Sequence, residues 1–467
     1  MNMSVFNTFA KKEKIAAEFF RKKRIFFVGI GGIGVRGIAY FLRGRGYEVG
    51  GSDRTESEAT AALRTAGIPV AIGHAREHIR GYEILVYTLA IEGDNPELCA
   101  AREAGIPTYS RADVLGYLMS LYPTRIAVAG MHGKSTVTAM LAAILREGGK
   151  DPAVISGAPL GDGEESFWFG GKETILVEAC EYKDSFLCLS PTVAVVLNAE
   201  EEHPDYFHSG KEVCCSFSRF LQGTETAILP AARQAVALLP DPCSRVLRFG
   251  CEADADDTAA ALTYKQGNAA FDYISGGINQ GRIELKVPGE HNLQNALAAA
   301  CAARVCGVAP SAICTALSNF GGTPCRLQAR GACRGVDLYE DYAHHPTEIR
   351  ASLSALRQMM RKNGRLLCLF QAHTYSRTAA FFCDFADALS AADIVVLTDI
   401  YAAREQNESG VSAAALAAAI PAAVYEGDAE AAFARLLSLA RAGDTVVVMG
   451  AGDVRRVLEK IEKEPRG

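Results

Sequence analysis

What this chain lacks narrows its class first. No two of its 14 cysteines are spaced C-x-x-C, and Cys214 and Cys215 are adjacent, so neither a zinc site nor a disulfide framework is written into the pattern. Several, such as Cys301 and Cys368, sit inside apolar runs, where a thiol behaves as a small hydrophobe. That usage suits a reducing compartment. No charge-free apolar stretch reaches the roughly 18–20 residues of a membrane span, and no small-residue cleavage site follows the basic residues between Lys11 and Lys23. The expectation is a soluble, cytoplasmic protein without membrane insertion. There is no long basic tract and the net charge is only -6, which argues against a nucleic-acid partner. Low-complexity linkers and short-period repeats are missing too.

What is present is ordinary globular composition, 49% hydrophobic and 22% charged over 467 residues, enough for about three domains at ~150 residues each. Short β-branched runs alternate with longer helical patterns, the mark of an α/β protein. Three strand–glycine–helix openings divide the chain. The first is a strand over 24–30, a glycine turn and a helix to about 42, with further strands at 48–50 and 84–87. The second is a strand over 125–129, a glycine turn and a helix over 134–145, with strands at 174–177 and 193–197. Between about 246 and 287 the pattern becomes irregular and strand-like, which predicts a small accessory sheet, followed by helices over 292–304 and 310–318. The third unit follows the breaker cluster Gly321-Gly322-Thr323-Pro324. It reads as strands at 337–340, 366–370, 394–397 and 445–449, helices over 346–359 and 376–389, and a last helix after Gly450. The predicted domains are 1–122, 123–324 and 325–467.

The turn V-G-I-G-G-I-G contains G-x-G-x-x-G as Gly29, Gly31 and Gly34. Such glycines let the backbone approach a diphosphate at a helix N-terminus. Asp53 lies 19 residues beyond Gly34, where a ribose-binding acid belongs. Alone, this would suit NAD as well as any other nucleotide diphosphate. A second turn, Gly130-Met131-His132-Gly133-Lys134-Ser135-Thr136, has the spacing G-x-x-G-K-[ST], two residues short of the usual phosphate loop. Its backbone would cradle phosphates, Lys134 would reach the β/γ-phosphates and Ser135 would ligate Mg²⁺. A dehydrogenase has no use for this loop; an ATP user has.

Two phosphate turns suggest two nucleotides, one carried by the substrate and one supplying energy. Glu178 ends a buried strand, a natural place for a carboxylate facing Mg²⁺. The acidic run Asn198–Asp205, which contains His203, follows the next strand; it reads as solvated surface or as metal and phosphate machinery. His291, Asn292 and Asn295 open a helix, where Asn292 is either an N-cap or a ligand-facing residue. Asp341-Tyr342-Ala343-His344-His345 and His373-Thr374-Tyr375-Ser376-Arg377 end two successive strands, and strand ends are where open α/β sheets bind ligands.

Taken in order, VGIGGIGVRGIA, GSD, AGMHGKST, EACEYKDSFL, NAEEEHPDYF, GEHNLQNALAA, DYAHHPTEI, FQAHTYSRT, LTDIYAARE and MGAGD resemble the Mur ligases over nearly the whole chain. The resemblance implies three domains: Rossmann-like for a UDP-sugar, central P-loop ATPase, and a closing C-terminal Rossmann-like domain. It implies ATP-dependent amide formation between the lactyl carboxylate of UDP-N-acetylmuramate and L-alanine through an acyl-phosphate, in peptidoglycan precursor synthesis. ATP and Mg²⁺ are the implied cofactors and the small-molecule substrates the partners; an oligomer is compatible with it. By motif, Gly130, His132, Gly133, Lys134, Ser135, Thr136, His291, Asn292, Asn295 and Arg326 would hold ATP. Ser135, Glu178 and His203 would serve Mg²⁺. Gly29, Gly31, Gly32, Gly34, Ser52 and Asp53 would hold the UDP-sugar, and Tyr342, His344, His373 and Arg377 the amino acid. Lys134, His344 and Arg377 are the candidate catalytic groups. Several positions depart from the usual pattern: Arg36, Met131, Ser135, Glu202, Cys325 and Thr374, with E-A-C-E-Y-K in place of a more acidic run. Two other readings are a sister ligase that adds a preformed peptide to the same UDP-sugar and an NAD-dependent oxidoreductase.

Overall fold

Three parallel-rich sheets follow one another along the chain in a computed structural model that describes residues 3–232, 236 and 245–459. The first has the order Val70–Ile72, Glu48–Asp53, Arg24–Val28, Ile84–Tyr87, Thr108–Ser110, all parallel. The third runs Gln328–Cys333, Val336–Asp341, Thr445–Met449, Leu366–Phe370, Ile394–Leu397, Ala423–Tyr425, antiparallel only at its first pair. Helices cover both faces of such sheets, so their inner strands read as unbroken apolar runs. Every residue of Val193–Val196 and Thr445–Met449 is buried.

The central sheet corrects the expectation of a separate accessory sheet. Its ten strands are continuous from Ile278–Pro288 to Phe167–Trp168. The strand Asp257–Lys265 pairs with Arg245–Phe249 at Phe249 and then folds into two antiparallel hairpins. Alternation explains why these strands stay attached: Ala269, Phe271, Tyr273, Ile283, Leu285 and Val287 are buried in one cluster with the helices Glu290–Val305 and Pro310–Asn319. The helix Lys134–Glu147 is in the same core.

Other differences are local. A helix, Met3–Arg21, precedes the first strand and carries Lys11, Lys12 and Lys14; its Ile15 and Phe19 are fully buried. The helix expected over 376–389 is two, Tyr375–Ala380 and Phe382–Leu389. It breaks at Phe381 (φ -112°, ψ 27°), whose ring sits 4.9 Å from His345. The last helix is a 3-10 segment, Val454–Leu458. The described cysteines are free thiols.

Two contacts lock the first sheet's helices to the central sheet. Phe167 packs on Gly37 and lies 5.1 Å from the Tyr40 ring, and Arg36 pairs with Glu165 at 2.7 Å. The unusual Arg36 is therefore a bridge between units. The turns after Val28, Ala129, Asp341 and Phe370 all leave the carboxyl ends of parallel strands, the edge where this architecture binds ligands.

Candidate active site

The phosphate turn leaves the strand Thr124–Ala129 through Gly130 (φ 143°), and Gly133 (φ 84°) enters the helix Lys134–Glu147 in the left-handed region, a conformation glycine adopts without penalty. Asn198 braces it from the neighbouring strand: its Oδ1 accepts from Met131 N–H (2.7 Å) and His132 N–H (3.0 Å). Lys134 Nζ donates to Gly130 O (2.6 Å) and Met131 O (3.0 Å) and pairs with Glu181 at 2.9 Å. Burial opposes the ammonium's charge, yet Glu181 outweighs it and holds Lys134 above its ordinary value. Glu181, opposed by burial in the same way, is held below its own by Lys134 and His203.

Ser135 Oγ donates to Glu178 Oε1 at 3.0 Å, and Glu178 Oε2 accepts from Gly157 N–H (2.7 Å) and Ser156 Oγ (3.1 Å). A hydroxyl and a carboxylate side by side form the hard-oxygen set that Mg²⁺ favours. His203 Nε2 lies 3.2 Å from Glu181 Oε1, so any ion beside His203 would also meet this carboxylate.

Across the cleft, the C-terminal strand ends bring Tyr342, His344, His373 and Arg377 into one row. Ring centroids are 5.5 Å apart for Tyr342–His344 and 5.8 Å for His344–His373, and Arg377 Nη1 lies 3.0 Å from His373 Nδ1. Tyr342 is flanked by the guanidinium groups of Arg326 (4.9 Å) and Arg455 (5.0 Å). Arg377 Nε donates to Glu202 Oε1 at 2.7 Å, with both side chains buried. This pair joins the C-terminal unit to the acidic run Asn198–Asp205. Burial opposes Glu202's charge, but Arg377 first, then the nearby histidines, hold the carboxylate far below its usual range. The run is therefore buried and paired at this point rather than solvated surface.

The HHPTE segment folds as a capping box. His345 Nδ1 accepts from Thr347 N–H (3.3 Å), and Glu348 Oε2 accepts from His344 N–H (3.0 Å) and His345 N–H (3.3 Å). Atoms of His132, Glu202 and His345 that could ligate a metal lie within 4.8 Å of one another. The cap argues against an ion there, since a neutral His345 that accepts at Nδ1 carries its proton on Nε2. His344 Nδ1 lies 3.0 Å from Tyr342 O, which fixes it as the protonated nitrogen and leaves Nε2 as an acceptor. Burial pushes His344 down to about 3, so it suits orienting an amine better than removing its proton.

Between the two units lies a cavity of about 340 Å³. Its walls include Phe249, Val287, Phe320 and Leu327, and its polar lining includes His132, Ser135, Asn292, Asn295 and Arg326. The helix Glu290–Val305 has Gly289 at its N-cap, so Asn292 is not the cap; its Nδ2 donates to Pro288 O at 2.7 Å. In the first unit Asp53 Oδ2 accepts from Gly31 N–H at 2.8 Å. Ser52 contributes its carbonyl, which receives Gly29 N–H (2.8 Å) and Ile30 N–H (3.0 Å). Its hydroxyl is fully buried and donates to Glu97 at 2.7 Å, so Ser52 holds the turn. The sequence motifs contain Asn198, Glu181, Glu202, His345 and Glu348, but only the structure shows which contacts each of them makes. Their signal in the sequence is their place beside recognised residues in the same strand-end runs.

A phosphate-type turn with its Ser–Glu pair faces an arginine–histidine row across a cavity of nucleotide size, the arrangement of a nucleotide-binding α/β protein. The match to known proteins is more specific. Residues 24–123 match the model of the Mur ligase family, catalytic domain; 128–303 match the Mur ligase middle domain; 325–452 match the Mur ligase, glutamate ligase domain. The chain belongs to the Mur ligase family. It is 38% identical over 450 residues to the UDP-N-acetylmuramate–L-alanine ligase of Caldicellulosiruptor bescii (94% of this chain, 98% of that one). It is 39% identical over 460 residues to the ligase of the same name from Agathobacter rectalis (96% and 99%). Among solved structures it is similar to the UDP-N-acetylmuramate–alanine ligase of Thermotoga maritima, with TM-score 0.78, 25% identity and coverage of 94% and 97%. A murein peptide ligase of Psychrobacter arcticus shares the fold, with TM-score 0.72, 22% identity and coverage of 94% and 99%.

Two outcomes follow from this geometry. Glu202→Ala leaves Arg377 buried without its counter-charge, a change that costs about 3–5 kcal/mol in comparable pairs. Because the pair spans two units, the C-terminal unit should swing open, seen as an increased radius of gyration by small-angle X-ray scattering; an unchanged radius contradicts this. The second outcome concerns pH. Burial holds His344 at about 3 and His373 and His291 at about 4, below the ~6.5 of an ordinary imidazole. Between those values the unfolded chain binds protons that the folded chain refuses, so each histidine withdraws ~1.4 kcal/mol per pH unit as pH falls below ~6.5. Asp341, pushed up by burial to about 6, has the opposite sign but is one group against three. The melting temperature should therefore drop on acidification from pH ~6.5 to ~4.5, and a flat profile would contradict the buried-histidine assignment.

Proposed function

We propose that this chain is an ATP-dependent ligase that joins L-alanine to the lactyl carboxylate of UDP-N-acetylmuramate in the cytoplasm, with 1–122 binding the UDP-sugar, 123–324 binding ATP and 325–467 closing over both. The observation that carries this reading is an unbroken polar chain across the cleft. It runs from Lys134 to Glu181 (2.9 Å), to His203 (3.2 Å), through His203 N–H to Glu202 (3.1 Å), and to Arg377 (2.7 Å). It links the cation suited to the γ-phosphate with the cation suited to an amino acid's carboxylate.

An amide does not form from a carboxylate and an amine in water without activation. A lactyl oxygen would attack the γ-phosphorus, forming the O–P bond of an acyl-phosphate while the bond to ADP breaks. Lys134 lies where its charge would offset the negative charge of the transferring group. Mg²⁺ held by Ser135 and Glu178, with His203 and Glu181 at hand for a second ion, would supply further charge neutralisation. The amine of L-alanine then attacks the acyl carbon: the C–N bond forms, the C–O bond to the phosphoryl group breaks, and phosphate leaves with the proton given up by the nitrogen. Arg377, whose Nε is committed to Glu202, would offer Nη2 to the amino acid's carboxylate, and neutral His344 would orient the amine. Closure of the C-terminal unit would keep water from the acyl-phosphate.

Neither other reading is favoured. An oxidoreductase has no role for the Lys134 turn, and full-length identity of 38–39% is to ligases named for L-alanine. The test is phosphate release with UDP-N-acetylmuramate and ATP against a panel of amino acids and a tripeptide. L-alanine should support turnover and the tripeptide should not; the reverse would move the chain to the peptide-adding branch. Lys134→Ala should cut phosphate release by at least ~10³-fold while UDP-N-acetylmuramate still binds, and retained turnover would refute the assignment.

A further inference from the structure

The last strand of the chain, Thr445–Met449, lies between Val336–Asp341 and Leu366–Phe370 in the third sheet and pairs in parallel with both. The carboxyl ends of those two neighbours carry the row described above. Tyr342 and His344 follow one strand, His373 and Arg377 the other. The turn that leaves the middle strand, Gly450-Ala451-Gly452-Asp453, therefore stands between the two halves of the row. It is tied to both. Gly450 N–H donates to Asp341 O at 3.1 Å. On the other side Gln371 Nε2 donates to Asp453 Oδ1 (3.0 Å), and Gln371 Oε1 accepts from Val454 N–H (3.1 Å).

Each end of the row leans on this segment. Arg455, in the 3-10 segment Val454–Leu458, holds its guanidinium 5.0 Å from the centroid of the Tyr342 ring. Its Nη1 donates to the buried Glu340 at 2.8 Å. Glu340 has a second cation, Arg330 Nη1 at 3.5 Å, so neutralising this carboxylate does not require Arg455. The surplus charge meets the face of the tyrosine, whose quadrupole attracts it. The Cys325 thiol lies against both Glu340 and Arg455, and its carbonyl receives Tyr342 N–H at 2.8 Å. Ring and backbone of Tyr342 are thus anchored in one cluster. At the other end Tyr401 stacks on His373, with centroids 5.6 Å apart and 17° between the ring planes. Tyr401 is pressed against Gly452: a Cβ there would lie 2.8 Å from Tyr401 Cγ and would also strike Gln371 Oε1. From the same loop Glu405 accepts from Ser376 N–H (2.8 Å) and Ser376 Oγ (2.5 Å), fixing the start of the short helix that carries Arg377.

We propose that the segment Gly450–Arg455 is the positioning element of the amino-acid site. Arg455 holds Tyr342 at one end of the row, and Gly452 makes room for the Tyr401 ring that supports His373 at the other. The span from Tyr342 to Arg377 is then set by one turn bonded to both strand ends, rather than by two independent loops. Neither Arg455 nor Gly452 touches the reacting atoms; both act through side chains that face the substrate.

This inference rests on reading Tyr342, His344, His373 and Arg377 as the amino-acid site, and the experiment separates the two. Phosphate release gives kcat and KM for UDP-N-acetylmuramate, ATP and L-alanine with wild type, Arg455→Ala, Arg455→Lys, Gly452→Ala and Arg377→Lys, and melting temperatures report folding. Arg455→Ala should raise KM for L-alanine about 5- to 30-fold, the effect of one lost cation–ring contact. KM for ATP and for the UDP-sugar should stay within about 2-fold, since their contacts are untouched. Arg455→Lys keeps a cation beside the ring and Glu340 without the planar fork, and should recover part of the loss. Gly452→Ala should lower kcat/KM for L-alanine on the order of 100-fold, as for a misplacement of ~1 Å, again without moving the other two KM values. Unchanged L-alanine kinetics in Gly452→Ala, or in Arg455→Ala, overturns the proposal. A loss shared equally by all three KM values overturns it too, as does a lowered melting temperature with reduced kcat and unchanged KM for L-alanine, since the turn would then be merely structural. Should Arg455→Ala fail to fold, Gly452→Ala and Arg455→Lys decide by the same criteria. If Arg377→Lys leaves KM for L-alanine unchanged, the reading of the row as the amino-acid site itself fails.

Discussion

The ion pair between Arg377 and Glu202 is the contact on which the rest of the cleft depends. Both side chains are almost wholly buried, and each charge would be costly to bury alone. They come from different units, so neither is neutralised unless the C-terminal unit stands over the central one. The same closure brings Thr347 Oγ1 within 3.1 Å of Glu200 and His132 within 3.3 Å of Glu348. Through His203 and Glu181 the pair continues to Lys134, so the position of the C-terminal unit is felt at the phosphate turn.

Charge in this cleft is sorted by burial and partner. Glu202 and Glu348 stay ionised because cations or histidines face them, despite burial. His344 and His373 are held neutral mainly by burial, with Arg377 adding to the effect. A neutral imidazole beside a fixed guanidinium can accept a hydrogen bond from an amine without competing for the carboxylate. On the proposed reading such an arrangement would orient a nucleophile and exclude water, both of which an acyl-phosphate requires.

Much of this was legible in the residues. Both glycine turns announce themselves, because G-x-x-G-K-S between a strand and a helix is a spacing suited to an anion cradle. Ser135 with Glu178, and the row Tyr342, His344, His373 and Arg377, came together as their strand-end positions implied. What escaped depends on pairing between units. Glu202 is an acidic residue in an acidic run until Arg377, 175 positions later, is seen to face it. The accessory strands were misjudged because period-two alternation tells which face is buried, not which sheet it extends. The helix over 376–389 was drawn too long because nothing local reports that Phe381 turns inward onto His345.

The most direct test of the central claim follows the oxygen atoms. With ¹⁸O in both positions of the lactyl carboxylate of UDP-N-acetylmuramate, activation by the γ-phosphoryl group predicts that the phosphate released with L-alanine carries one ¹⁸O and the amide product retains the other. Unlabelled phosphate in an otherwise productive reaction would contradict the account, because the carboxylate would then never have been bonded to the phosphorus.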